Sequence, residues 1–481
     1  MPRIAIRTPG IAPGGYDPAR RLADFTTARH GFLAGTDTPR ALLERCLAVI
    51  AAREPDIRAF AHIDAAGARI AADAATARYR AGRSLSPLDG CPLGIKDTLA
   101  VRDMPGEMNS PVFRGHVDAI DAACVLALRA AGGIILGKTQ VPELTIGAAP
   151  PTRNPFDPTR TAGASSSGSG AAVGAGMVPV AIGNQTGGSL IRPASFNGIV
   201  GFKPSWGALN IGGMHAIAPS QDHIGPMAAS LADAWTTAWE ISVRAGGHNG
   251  HPGLAGTAAP PPPRKPARLA WLRTQGWDAL DAPTLAAWDG VLHALAAAGV
   301  SVIDAATDGA IAEAERLLRE ADRLSNDIVM YEARWPYGAW IAAHGAAALG
   351  ATVHERLARG FAMTPDDYRA ALAGRDAIRA AIAGIGRRVD GFVTLASSGP
   401  APIDGPGERG NAPVAAAHLK TGSRSFLSPW SMVGGPSLSL PVMAVDGLPL
   451  GLQLMGLPET DCALVAHAAW VLGLFDASPG P

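Results

Sequence analysis

With 481 residues and 41 Lys+Arg against 41 Asp+Glu, the chain has a formal net charge of zero, which excludes the basic footprint of a nucleic-acid binder or of a partner of anionic membranes. Hydrophobic residues make up 47% and charged residues 17%, a balance that supports an ample core and excludes disorder as the main state. Cys46, Cys91, Cys124 and Cys462 form no C-x-x-C pair, the histidines form no H-x-x-x-H pair, and no apolar run nears the ~18 residues of a membrane span. The expectation is a soluble cytoplasmic protein with free thiols, no metal and no cofactor.

In chain order, residues 1–86 form a lead-in with apolar positions at helical spacing between about 39 and 83 (Leu42, Leu43, Cys46, Leu47, Val49, Ile50), opened by Thr38 as N-cap and Pro39 in the first turn. Residues 91–99 predict a short buried strand and loop. Residues 122–131 predict a helix stopped by Gly132-Gly133, and residues 134–136 a further strand. Helix alternating with strand favours a largely parallel sheet covered on both faces. The Pro-rich stretch at 258–270 predicts a linker. Beyond it, Ile311, Ala314, Leu317, Leu318, Ala321, Leu324 and Ile328 predict one long amphipathic helix, its stripe extended by Tyr331 and Trp335. Near the C-terminus SLSLPVMA and LGLQLMG flank Asp446-Gly447, the pattern of a strand pair joined by a turn.

Two local patterns compete for attention. Residues 132–139 (GGIILGKT) fit the Walker A spacing, but a P-loop needs a strand before the glycines and a helix after the lysine. Here the helix comes first and Ile-Ile-Leu fills the loop, so nucleotide binding is disfavoured. The second pattern is TAGASSSGSGAAVGAG (161–176), followed by an apolar run and then GNQTGGSLIRPAS (183–195). Two seryl loops at opposite ends of one packed segment build a site rather than a linker. Lys96, one of only five lysines, sits behind Leu93 and Ile95, where desolvation would leave an amine able to accept a proton. Ser189 follows two glycines whose freedom lets successive N–H groups converge on one spot.

Lys96 in CPLGIKD, Ser165 in the first seryl loop 69 residues on, and Ser189 a further 24 residues on together resemble the amidase signature family, whose members use a Ser-cisSer-Lys triad. The resemblance implies Lys96 as base, Ser165 as relay after a cis Ala164–Ser165 bond, and Ser189 as the nucleophile that forms an acyl-enzyme. It also implies an oxyanion hole from the backbone of Thr186, Gly187 and Gly188. The implied fold is α/β, a mixed central sheet sandwiched by helices in a single large domain. Within it residues 87–243 would form the signature core, 244–264 a Gly/Pro-rich linker, 265–390 a variable helical region shaping the pocket, and 391–481 the C-terminal part of the core.

The chain departs from the usual family pattern at Ala164 and Ser167, where glycine is common, and at Gln185 and Ile191 in place of Asp and Arg, with the arginine displaced to Arg192. This resembles the malonamidase-like branch, in which that arginine can hold a substrate carboxylate, more than the DTGGSIR pattern of the glutamyl-tRNA amidotransferases. The implied activity is hydrolysis of a C–N amide bond in a small-molecule amide. The alternative is an amidotransferase-type subunit that works in a complex, and a homodimer is left open.

Overall fold

Short apolar runs bounded by Gly and Pro resolve, in the computed structural model, into one eleven-stranded sheet with helices on both faces. The structure describes residues 15–19, 22–403 and 421–476. The strands are β1 (Phe60–Ile63), β2 (Pro92–Lys96), β3 (Ile134–Thr139), β4 (Val180–Gln185), β5 (Val200–Lys203), β6 (His223–Ala228), β7 (Arg268–Trp271), β8 (Ser301–Ile303), β9 (Gly391–Leu395), β10 (Ser437–Val445) and β11 (Leu448–Met455). Their order across the sheet is β1-β3-β2-β4-β6-β5-β10-β11-β9-β7-β8. This is the expected α/β architecture with a mixed sheet.

It is less parallel than helix–strand alternation suggests. Parallel pairing is confined to β3-β2-β4 and β9-β7-β8, and the strands between them pair antiparallel. One cause is local: Asp446 and Gly447, with φ of 51° and 71°, form the two-residue turn that returns β11 directly beside β10. The predicted strand pair is therefore present.

The lead-in is not all helix. After α1 (Phe25–Ala34), Thr38 caps α2 (Pro39–Ile57) by accepting from the Ala41 N–H at 3.1 Å. The chain then turns through Arg58 into β1, an antiparallel edge strand on β3, before α3 (Ala65–Arg80). The predicted helix at 122–131 is α4 (Ala123–Ala130). Beyond it β3 runs through Lys138 and Thr139, and Lys138 lies buried 2.9 Å from Asp97 Oδ1. A strand occupies the would-be phosphate loop, so the Walker spacing is coincidental.

The densest small-residue stretch is not a linker. Residues 167–174 form α5 (Ser167–Gly174), every residue of which is buried. Its small side chains are what permit this: a Cβ on Gly168 would lie 2.3 Å from the Gln140 nitrogen and 2.4 Å from the Ala59 oxygen, both backbone atoms. Two serines fasten the helix to the sheet, Ser169 Oγ donating to the Ile182 carbonyl (3.0 Å) and Ser166 Oγ to the Asn184 carbonyl (3.1 Å). After β4 the chain enters α6 (Ile191–Phe196), and α7 (Leu231–Ala245) follows β6.

The stretch beyond the Pro-rich segment supplies β7 and β8 to the sheet with α8 (Ala282–Ala297) between them. The single helix predicted over 311–328 is two, α9 (Gly309–Leu318) and α10 (Ala321–His344), with the buried stripe of Ile311, Ala314, Leu318, Ala321, Leu324 and Ile328 running across the break. Trp335 does not extend that stripe; it is 79% exposed. Past Met330 the inward face is that of Ala333 and Tyr337, which pack on Leu144 and Ile146 in a separate apolar cluster. Tyr331 instead stacks on Tyr368 at 4.2 Å. Helices α11 (Ala351–Ala362), α12 (Pro365–Gly386), α13 (Ser428–Val433) and α14 (Asp461–Phe475) complete the described set. All four cysteines are free, and among the described residues no helix is long and apolar enough to cross a membrane.

Because Gly168 meets backbone atoms that cannot swing aside, Gly168→Ala should destabilise the fold by about 1–3 kcal/mol. Denaturant midpoints would read this, and an unchanged midpoint would contradict the packing described.

Candidate active site

Strands β2 and β4 run parallel and adjacent, Ile95 opposite Ile182, so their C-terminal ends lie side by side. β2 ends on Lys96 and β4 on Asn184 and Gln185. The Lys96 side chain is wholly buried; its Nζ lies 2.7 Å from Ser165 Oγ, donates to Asn184 Oδ1 and is 3.5 Å from the Asn184 carbonyl. The Asn184 amide is itself oriented by donating to Thr98 Oγ1 at 3.2 Å. Burial pushes the Lys96 amine well below its ordinary 10.5, opposed only in part by the carboxylate of Asp222. An uncharged amine so placed has two N–H groups for the two Asn184 oxygens and a lone pair for the Ser165 proton.

Ser165 precedes α5, and Ser189 stands between the Gly187-Gly188 turn and α6. The Ser166 N–H donates to the Ser189 carbonyl at 3.2 Å, which ties the two seryl loops together. A cavity of about 120 Å³ is lined on this side by Ser165, Thr186, Gly187, Gly188, Ser189 and Arg192. Ser166 does not line it: its hydroxyl is committed to Asn184. Among the described residues, the N–H groups of Gly187, Gly188 and Ser189 donate to no protein acceptor, leaving them available at the cavity wall.

Each residue of the predicted set (Lys96, Ser165, Ser189, Thr186, Gly187, Gly188, Arg192) therefore belongs to one locality. One implied feature is absent. Every peptide bond among the described residues is trans, the Ala164–Ser165 bond included, so Ser165 is not a cis serine here; for a non-proline residue trans is the lower-energy amide by about 3–4 kcal/mol.

Residues that sequence reasoning did not place surround the turn. Gln185, a departure from the family pattern, accepts through Oε1 from the Leu190 and Ile191 N–H groups (3.0 Å each) and donates to Ser431 Oγ (3.0 Å). It satisfies the first N–H groups of α6 and closes the 186–189 loop from behind. Asp222 accepts from the Thr186 hydroxyl (2.5 Å) and from the Ile217 and Ala218 N–H groups; burial pushes its carboxyl up to about 7 against these donors. His215, pushed down to about 4 by burial with Lys96 nearby, adds no cation. Asp222 carried no sequence signal, and Asn184 was hidden by its ordinary place at a strand end.

Arg192 is buried, donates through Nη1 to the Gly422 carbonyl, and keeps an Nε without a partner. It thus both braces residue 422 and lines the cavity. Burial and the nearby guanidinium groups of Arg424 and Arg356 push it down to about 9, so it remains a cation at neutral pH.

The family model described as Amidase matches residues 41–465. The chain belongs to that amidase family. A relative from Chloroflexus aggregans, named as the A subunit of glutamyl-tRNA(Gln) amidotransferase, is 33% identical over 477 residues, covering 92% of this chain and 94% of the relative. A relative of the same name from Chloroflexus aurantiacus is 42% identical over 241 residues, 49% of this chain; the match spans only about half, 48%, of the relative's length. The solved structure titled "Crystal structure of amidase" superposes with a TM-score of 0.79 at 30% identity, covering 93% of this chain and 99% of that one. These likenesses do not single out the malonamidase branch.

The Lys96 burial has a thermodynamic consequence with a definite sign. The folded pKa is lowered, so below 10.5 the unfolded chain binds a proton that the folded chain does not. Stability is therefore lost as pH falls from about 10.5 toward the folded value, and none is lost through this group above that window. Lys96→Met removes the effect. Its melting temperature relative to wild type should rise as pH is lowered from 10 to 7, whereas a pH-independent gap would mean that Lys96 is charged in the fold.

Proposed function

We propose that this chain hydrolyses a C–N amide bond of a small molecule through a seryl acyl-enzyme, with Ser189 as nucleophile, Ser165 as relay and Lys96 as base. The observation that carries the reading is a fully buried lysine 2.7 Å from Ser165 Oγ, its pKa lowered by desolvation, with Ser165 and Ser189 lining the same cavity. A serine hydroxyl is protonated at neutral pH and needs a base; an ammonium cannot serve, but a desolvated amine can.

In the reaction, Ser189 Oγ attacks the amide carbonyl carbon while its proton passes to Ser165 Oγ and the Ser165 proton passes to Lys96 Nζ. The carbonyl oxygen becomes an oxyanion held by the N–H groups of the 186–189 turn, Thr186, Gly187 and Gly188 among them, already oriented and therefore needing no reorganisation. Collapse breaks the C–N bond. The proton returns from Lys96 through Ser165 to the leaving nitrogen, which departs as ammonia or an amine. A water then repeats the sequence on the ester, releasing the acid and restoring Ser189. The small cavity suits a small acyl group rather than a protein chain. Arg192, a buried cation that lines this cavity with no carboxylate partner among the described residues, supports a preference for amides bearing a nearby carboxylate.

A second reading has its own support: two of the relatives are named as parts of an amidotransferase, and such a protein would release ammonia in a complex. The two readings separate on one measurement. Hydrolysis by the purified chain alone supports the amidase, and ammonia release only with a partner protein supports the alternative.

Ser189→Ala should lose at least about 10³-fold in kcat while staying folded. A fluorophosphonate pulse followed by peptide mass spectrometry should place the adduct on Ser189, and an adduct on Ser165 would overturn the assignment. Wild-type activity should fall as pH drops through the lowered Lys96 pKa, because protonation removes the base. Lys96→Ala and Ser165→Ala should each be as damaging as the pair together, since the three act as a unit.

A further inference from the structure

Three arginines line the cavity, and they come from unrelated parts of the chain: Arg192 from α6, Arg356 from α11 and Arg424 from the segment before α13. Arg424 is already engaged. Its Nε lies 2.6 Å from Asp322 Oδ1, and its stem lies over the nucleophile turn, where a Cβ on Gly187 would meet Arg424 Cδ at 3.6 Å. Ser428 Oγ donates to the same Asp322 oxygen at 2.9 Å and lies 3.4 Å from the Gly187 carbonyl. Arg424 and Asp322 thus form a neutral brace behind the turn.

The other two cations have no such counterion. Among the described residues neither Arg192 nor Arg356 pairs with a carboxylate, and each keeps a buried Nε without a hydrogen-bond partner. Burial and Arg424 push the Arg356 guanidinium down to about 10, which leaves it charged at neutral pH. Two like charges at one cavity, Arg192 buried and Arg356 half-buried, repel each other unless an anion joins them. Among the described residues no Asp or Glu lines the cavity, whose apolar lining includes Ile146, Ile217, Val329 and Met330; Asp322, which also attracts Arg192, is in contact with Arg424.

We propose that Arg356 is a specificity-determining residue: with Arg192 it grips one carboxylate on the acyl side of the substrate, making a half-amide of a short dicarboxylic acid the preferred substrate class. The proposal rests on the amidase reading for its kinetic form, but not for the binding itself. Planar guanidinium groups suit a carboxylate because each can offer paired N–H donors. Placing one of them on α11 lets a region without family motifs set how far the carboxylate stands from the scissile carbonyl.

The test compares half-amides of malonic and succinic acid with their neutral methyl esters. In Arg356→Gln the ratio of kcat/KM for the anionic over the neutral amide should fall about 10- to 150-fold, chiefly through KM, the loss expected for a charge-assisted hydrogen bond. An equal fall on both substrates would overturn the proposal. Calorimetric titration of malonate and succinate into the Ser189→Ala protein needs no turnover, and the Arg356→Gln change in that background should weaken binding by a similar factor. Binding that depends on Arg356 without any amide hydrolysis by wild type would sink the amidase reading and leave the subsite standing. Hydrolysis with dicarboxylate binding indifferent to Arg356 would do the reverse. Should Arg356→Gln fail to fold, Arg356→Lys decides: an ammonium cannot pair bidentately, so unchanged dicarboxylate affinity in that variant would overturn the proposal.

Discussion

The site depends on keeping one amine out of water with no anion pressed against it. An ammonium buried in apolar surroundings is so unfavourable that the proton leaves instead, and Lys96 meets that condition because β2 lies inside the sheet with β3 and β4 on either side. A carboxylate in direct contact would restore the charge and remove the basicity. The nearest acid that matters electrostatically, Asp222, is turned to Thr186 and to the 217–218 backbone, and the direct partners of Lys96 are an amide, a carbonyl and a hydroxyl. A strand end thus becomes a base, in the proposed chemistry, through its surroundings alone.

Parallel pairing then does the positioning. Because β2 and β4 advance together, the lysine that ends one and the turn that follows the other emerge at the same edge. The helix α5 must come close enough to bring Ser165 to that edge, and it can do so only if its side chains are almost nothing. Glycine and alanine let it seat on the backbone of residues 59 and 140, and serines replace the lost apolar contact with hydrogen bonds to β4. Composition that resembles a flexible linker is here the condition for close packing.

Around this motif-bearing centre the pocket is assembled from elements with no recognisable signature. Helix α10 gives Asn326, Val329 and Met330, α11 gives Arg356, and the segment before α13 gives Arg424. The 186–189 turn is consequently braced from two sides: Gln185 and Asp222 hold it from within the core, and the Arg424–Asp322 pair, with Ser428, holds it from the other side.

Much of the centre was legible in the sequence because it is local and chemically unusual: a lysine behind apolar residues, a glycine pair before a serine, seryl loops at fixed separation. The α/β class and the hairpin at Asp446-Gly447 were equally legible, since turn chemistry and alternation act over a few residues. Other features were decided by tertiary structure. The antiparallel middle of the sheet, the strand at 60–63, the break between α9 and α10 and the exposure of Trp335 depend on which neighbours arrive from distant segments. The trans bond at Ser165 departs from what family likeness implied. Gln185, Asn184, Asp222 and Arg356 are ordinary residues in ordinary sequence, and they acquire meaning only from the groups folding sets within hydrogen-bond or charge range. Periodicity and propensity are properties of a stretch of chain, whereas desolvation and charge balance are properties of a place, which is why the first could be read from the sequence and the second needed the fold.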